Sequence, residues 1–245
     1  MASELAAADY EYHLPDHWVA HAQVPHSQFA RLHSYYVGRV VDLIKESGAK
    51  TVLEVGCGDG WNVGQMVEQG LEVVGCDWSV NGIAYARLLV PGARFHQGDV
   101  RDPDFNAEFG GKFDAVALIE VIEHIPPKDA VDALRNIVSP LKQGGTFVLT
   151  TPSVNLVNDN PQHYRHFTEE LLREIITEVG GLTLDSVEGY GDVDEERAYW
   201  RKARLVDNSL FTIKPLARRL SARRRIEVKS PMDRCHGLIL KATKR

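Results

Sequence analysis

Two acids and an imidazole stand close together in the stretch IEVIEHI, as Glu120, Glu123 and His124. Spacing of i, i+3 and i+4 brings such residues to one side of a helical turn. Two carboxylates that close repel each other unless a proton or a cation lies between them. Carboxylate oxygen with imidazole nitrogen suits Mg²⁺, Mn²⁺, Co²⁺, Fe²⁺ or Zn²⁺. Farther along, QHYRHFT offers His163 or His166 as a fourth ligand. A second group begins at TVLEVGCGDG, where Gly56, Gly58 and Gly60 let the chain turn tightly and a ligand approach its backbone. Glu54 sits two residues before the first of these glycines. Asp77 ends the next apolar run, LEVVGCDWS, 21 residues after Gly56, where an acid can hold both hydroxyls of a ribose. Asp99, in FHQGDVRD, is in reach of an adenine edge.

These residues need a frame. Val52, Leu53 and Val55 form a short apolar run fit for a buried strand, and NVGQMVEQG after the glycines reads as a helix. Strand, glycine loop and helix together make a nucleotide-type pocket with free N–H groups at the loop, although the spacing is GxGxG and not GxGxxG. The pattern predicts strands at 51–55, 71–77, 93–97, 113–119, 145–151 and 182–190. Helices are expected at 60–69, 79–89, 127–138 and 168–179. Such alternation means an α/β fold with a parallel sheet covered on both faces. Ligands then bind outside the carboxyl ends of the strands, and IEVIEHI ends the fourth. Pro25 to Ser47 reads as a further helix, and residues 1–24 as a lead-in or lid. Thr168 is the expected N-cap of its helix, with Glu169 and Glu170 favouring the helix dipole.

From Thr51 to about Leu182 the chain resembles the class I S-adenosylmethionine (SAM) dependent methyltransferases. The resemblance is carried by EVGCGDG, the acid after strand two, GD after strand three, FDAVALIEVIEHI, LKQGG and TP, in that order. It implies a Rossmann-like sheet of seven strands, mostly parallel, with CHGLILKAT as a last, antiparallel strand. It implies SAM as cofactor, with Gly56 and Gly58 at the methionine part. Asp77 falls at the ribose, Asp99 and Val100 at the adenine, and Arg31 at the methionine carboxylate, with Glu54 and Trp78 also among the cofactor-binding residues. ExxEH with a distant His is similar to two metal-using branches of that family. One comprises small-RNA 3′-terminal 2′-O-methyltransferases; the other acts on small molecules, in ubiquinone synthesis and on sugars. His163 falls at the fourth ligand position of the RNA branch, while HYRHFTEEL follows the small-molecule pattern. The expected ligand set is Glu120, Glu123, His124 and His163, with Mg²⁺. Other members carry ExxEH without a metal; the acid then lies near the methionine part and the histidine acts as base or packs.

An alcohol holds its proton too tightly to lose it at neutral pH. A divalent cation would lower its pKa, and a neighbouring hydroxyl would chelate the same ion. The expected acceptor therefore has vicinal hydroxyls, as in a sugar, polyol or catechol. His166, or His124 in a metal-free site, would take the proton, with Glu120 completing the catalytic group. The reading is a SAM-dependent O-methyltransferase acting on a carbohydrate or other small molecule. RNA 2′-O-methylation and metal-free transfer stand as alternatives, and a SAM-binding regulatory protein is the reading from another class.

At 245 residues the chain has room for a full core in one domain. We divide it into a lid and helix (1–47), the cofactor core (48–191), a basic insertion (192–231) and a final strand (232–245). The net charge of −6 hides an asymmetry: residues 197–245 hold 15 Lys+Arg against 3 Asp+Glu, and the rest 13 against 31. Leu210, Ile213, Leu216 and Leu220 mark one helical face in that basic stretch, interrupted by Pro215. It could hold an anionic substrate, a membrane surface or RNA, or dock on the acidic body of its own domain or of a second subunit in a homodimer. No aromatic stacking pattern accompanies it, which disfavours nucleic acid. Cys57, Cys76 and Cys235 form no CxxC and suit a reduced, cytoplasmic protein. No signal peptide or membrane-length apolar run is visible.

Overall fold

The computed structural model describes residues 12–23, 27–102, 105, 109, 112–203, 205 and 229–245. Seven strands form one sheet: β1 (Thr51–Val55), β2 (Glu72–Asp77), β3 (Arg94–Gln97), β4 (Phe113–Ile119), β5 (Leu141–Pro152), β6 (Leu182–Asp192) and β7 (Cys235–Lys244). Their order is β3-β2-β1-β4-β5-β7-β6. The first five run parallel, and β7 lies antiparallel between β5 and β6. This is the expected Rossmann-like α/β sheet with an antiparallel last strand.

Period-two alternation divides the core between the two faces. Leu53, Val74, Val116 and Leu118 point to one face, packed by Leu134 and Ile137 of α5 (Ala130–Val138) and by Leu172 and Ile176 of α6 (Glu169–Val179). Val52, Val73, Ala115 and Ala117 point to the other, under α2 (Gln28–Glu46), α3 (Trp61–Glu68) and α4 (Val80–Leu89). With both faces covered, β1 has apolar residues on both sides, Val52 on one and Leu53 and Val55 on the other, instead of a clean alternation. Cys57, Cys76 and Cys235 are buried thiols, as small core residues are. Thr168 caps α6 as expected, its hydroxyl accepting from Leu171 N at 3.2 Å.

Three features depart from the predicted pattern. A helix, α1 (Asp16–Gln23), forms within the expected lead-in. Another, α7 (Val193–Ala203), opens the expected insertion. Strand β5 starts at Leu141 and not at 145, because Leu141 pairs with Phe113 ahead of a register shift. The predicted apolar face from Leu210 to Leu220 lies outside the described residues. No helix among the described residues is long and apolar enough to cross a membrane.

Candidate active site

The carboxyl ends of β1, β2, β4 and β5 meet at one edge of the sheet, where the loops that follow them enclose three adjoining cavities. The glycine loop leaves β1 with positive φ at Gly56, Gly58 and Gly60, a conformation that side chains rarely adopt. A Cβ at Gly56 would also collide with Val121. The loop is tied to β2: Gly56 N donates to Cys76 O at 2.7 Å and Gly58 N to Asp77 Oδ2 at 2.8 Å. Asp77 Oδ1 accepts from Ser79 N at 2.8 Å. Asp77 therefore fixes the loop as well as lining a cavity, and burial raises its pKa against those N–H bonds.

The first cavity, about 150 Å³, is walled by Gly56, Asp77, Trp78, Asp99, Val100 and His124, among others. Asp99 accepts a fork from Arg101, with Nη2 at 2.7 Å, and Arg101 stacks over Trp78 at 5.7 Å. Burial works to raise the Asp99 pKa, but the Arg101 bonds outweigh it and the net shift is downward.

The second cavity, about 400 Å³, shares Gly56 and His124 with the first and adds Gly58, Asn62, Glu120 and Glu123. Beneath it lies Glu54, fully buried, with Oε1 accepting from Asn62 Nδ2 at 2.9 Å. Glu54 Oε2 and Asn62 Oδ1 are buried with no hydrogen-bond partner. Two buried acceptor oxygens without a partner suit a cationic donor. Helix α1 closes the other side of the loop. Trp18 Nε1 donates to Asp59 O at 3.1 Å, His17 N to Asp59 Oδ2 at 2.9 Å, and His21 stacks on Trp61 at 3.9 Å.

Beyond β4 the backbone turns sharply. Glu120 has φ 54°, the one non-glycine residue with positive φ among the described residues. A 3-10 turn, Ile122–His124, follows, and Pro126 holds Ile125 extended. The turn carries Glu123 and His124 but leaves Glu120 ahead of it. Glu120 is held by β5 and β6: its Oε1 accepts from Thr150 Oγ1 at 2.8 Å and from Tyr190 Oη at 3.1 Å. Enclosure by protein pushes its pKa up to about 7 against those two bonds.

The loop from Ser153 to Phe167 is pinned by a bridge between those two residues and by Tyr164 N donating to Glu123 O at 2.8 Å. It sets His163 against the 3-10 turn, its ring edge-on to His124 at 4.7 Å between centroids. Glu123, His124 and His163 each offer a ligand atom, all within 4.8 Å of one another. Glu123 is buried, accepts from Thr151 Oγ1 at 3.1 Å, and has its pKa driven well up by burial and by Glu120. His166 Nδ1 faces the Leu156 carbonyl at 3.3 Å and can only donate there. His166 Nε2 must then accept, 3.0 Å from His163 Nδ1. In that tautomer His163 keeps a bare Nε2, and burial, with His124 and His166 nearby, lowers its pKa to about 4. The ring of His124 bonds the Gln162 backbone, and burial lowers its pKa too. Two neutral imidazoles and one carboxylate, with their outer atoms held by protein partners, fit a divalent cation.

Residues 52–145 match the family model described as "Methyltransferase domain". The computed structure is similar to the TehB-like SAM-dependent methyltransferase from Corynebacterium glutamicum. The TM-score is 0.63 with 21% identity, over 98% of this chain and 100% of that one. The chain has the fold of SAM-dependent methyltransferases. The magnesium protoporphyrin IX methyltransferase of Synechocystis with bound SAM shares the fold at TM-score 0.55 and 17% identity, covering 88% of this chain and 81% of that one. A "Ubiquinone biosynthesis O-methyltransferase" from Dechloromonas aromatica is 32% identical over 145 residues, 57% of this chain and 59% of that protein. The chain thus spans about three fifths of that relative's length.

Within this fold, Gly56, Asp77, Trp78, Asp99 and Val100 line the first cavity. Gly58 lines the second and Glu54 supports it through Asn62. Arg31 stands half-buried on α2 and lines none of the three cavities. Three of the four expected metal ligands converge, and Glu120 faces the same cavity with Oε1 engaged by Thr150 and Tyr190. His166 stands behind His163 as its hydrogen-bond partner. The site residues not singled out from sequence are Asn62, Thr150, Thr151 and Tyr190, which hold the acids. Thr150 and Thr151 had one usable signal, their place at the carboxyl end of a strand.

Proposed function

We propose that the protein transfers the methyl group of SAM to a hydroxyl oxygen of a small molecule, at a divalent cation held by Glu123, His124 and His163. The observation that carries this reading is the meeting of those three groups between the two inner cavities. The first cavity takes the nucleoside, with Asp77 and Trp78 at the ribose and Asp99 and Val100 at the adenine. The second takes the amino-acid part, whose ammonium answers the orphaned oxygens of Glu54 and Asn62. Gly56 and His124 wall both cavities, so the sulfonium lies at their junction, beside the acid–imidazole group. The D. aromatica relative's name, an O-methyltransferase, supports oxygen as the acceptor atom.

When bound, the cation supplies Lewis acidity that lowers the pKa of an acceptor hydroxyl, and an acceptor with vicinal hydroxyls (a sugar, polyol or catechol) gains most from it. One carboxylate with two imidazoles matches Mn²⁺, Fe²⁺, Co²⁺ or Zn²⁺ better than Mg²⁺, which takes mostly oxygen. The protein's own residues orient the acceptor in line with the donor and exclude water. With no ion present, the free nitrogen of His124 is the proton acceptor.

The test is SAH release with catechol and a hexose as acceptors. The protein is stripped with EDTA and reloaded with Mg²⁺, Mn²⁺, Co²⁺ or Zn²⁺ in turn, and Mn²⁺ binding is followed by equilibrium dialysis. We expect transfer to stop on stripping, to return best with a transition ion, and to be lost with Mn²⁺ binding in Glu123→Gln. Transfer that survives both EDTA and Glu123→Gln removes the cation. A methylated product substituted on nitrogen or carbon removes the hydroxyl acceptor.

A further inference from the structure

The third cavity, about 710 Å³, begins at His163, which it shares with the second, and opens beneath α7. Its inner wall is the loop of His166 and Leu156; its outer wall carries Arg197 and Arg201. These two arginines are four residues apart, on one face of α7. Of the acids of the same helix, Asp194 and Glu195 are exposed, and neither lines the cavity. Among the described residues, Asp159 is the one acid in its lining. Helix α7 is not a loose surface turn. Asp192 Oδ1 accepts from the N–H groups of Asp194 and Glu195 at 2.9 and 3.1 Å, and Asp192 Oδ2 pairs with Arg234 Nε at 2.9 Å. Val193 is buried, and its N donates to Arg234 O at 3.0 Å. The wall that presents the arginines is thus fixed to β7.

We propose that the acceptor carries an anionic group, a carboxylate or a phosphate, which Arg197 and Arg201 hold while its hydroxyl reaches the His163 end. The inference rests on the methyl-transfer reading above, since that reading makes the third cavity the acceptor's path. Guanidinium forks match carboxylate and phosphate oxygens in geometry as well as charge. The pairing of Arg197 with Asp194 at 3.2 Å does not compete strongly, because both side chains are more than 60% exposed and such pairs are weak. Arg201 has no charged partner among the described residues.

Two measurements test the proposal. The first compares kcat/KM for 3,4-dihydroxybenzoate and its methyl ester, which differ in one negative charge. The native protein should favour the carboxylate by about tenfold or more, the scale of a charge-assisted hydrogen bond. In the Arg197→Gln/Arg201→Gln variant the ratio should fall towards one, and Arg201→Glu should shift preference towards 3,4-dihydroxybenzylamine. A native ratio near one, or a ratio that survives in the double variant, overturns the proposal. The second measures inorganic phosphate binding to the SAH-loaded protein by calorimetry, and needs no turnover. Binding that disappears in the double variant, with SAH affinity retained, supports the anion site; equal phosphate binding in both proteins, or none in either, overturns it. If neither catechol is methylated, the vicinal-hydroxyl reading fails, while the phosphate result still decides the anion site.

Discussion

Glu54 carries a proton that an ordinary carboxylate would have lost. Burial pushes its pKa up to about 8; Asn62 opposes this, while Asp77 and Asp59 add to it. In the unfolded chain the same group titrates near 4.5. Between those two values the folded protein binds more protons than the unfolded one, so stability falls as pH rises through the window. The buried pairs around Asp77, Glu120 and Glu123 slope the same way, and only the difference between native protein and Glu54→Gln isolates Glu54. Without ligand, the native Tm should drop from pH 5 to pH 8 more steeply than that of Glu54→Gln. An ammonium placed against Glu54 Oε2 favours the charged carboxylate. SAM or SAH binding at pH 7 should therefore release up to about one proton, read as a binding enthalpy that changes with the buffer's ionisation heat. If native protein and Glu54→Gln show the same buffer dependence, Glu54 does not meet the cofactor's ammonium.

The loop between β5 and α6 does at the level of an element what no single ligand does alone. Its ends are bridged at Ser153 and Phe167, its middle hangs from Glu123 O through Tyr164, and His166 fixes the tautomer of His163. A histidine behind a ligand histidine is a positioning residue, and such outer partners are worth about 10–100-fold in metal affinity. His166→Ala should accordingly lower Mn²⁺ affinity by that factor while the pH dependence of the metal-saturated reaction keeps its shape. If Mn²⁺ affinity is unchanged and the acid limb of the pH profile moves instead, His166 is the general base. Elements of this kind were partly open to reading from sequence. The strands and α2 to α6 follow from apolar period, and Thr168 from its cap chemistry. The ExxEH spacing suggested one helical turn for all three residues. Pro126 shortens that turn to 3-10, and Glu120 takes a left-handed backbone ahead of it, which spacing alone does not show. Helix α1 escaped because DHWVAHAQ buries no residue fully and packs by its Trp and His rings. Helix α7 lacks a clear apolar period, yet it had a signal: Asp192 ahead of three acids, with Arg201 and Lys202 in its last turn.

Across the whole molecule, the three cavities form one line along the carboxyl edge of the sheet, joined at Gly56 and His124 and again at His163. Asp114 and Lys142, which pair at 2.8 Å, tie the amino end of the same sheet, so architecture and chemistry occupy opposite edges. A donor that spans the first two cavities should gain from being one molecule. Once the adenosine end of SAH is seated, the amino-acid end binds as an intramolecular partner at an effective concentration in the millimolar range. SAH at about 100 times its Kd stabilises the fold by about 2.7 kcal/mol. For a chain of this size that raises Tm by about 5–10 °C. Adenosine and methionine together, at the same concentration, should give a much smaller rise, because each fills one cavity without the linkage. A rise from SAH no greater than that from adenosine alone would place the amino-acid part outside the second cavity. The orphaned oxygens of Glu54 and Asn62 would then need another ligand, and the sulfonium would no longer lie beside Glu123, His124 and His163.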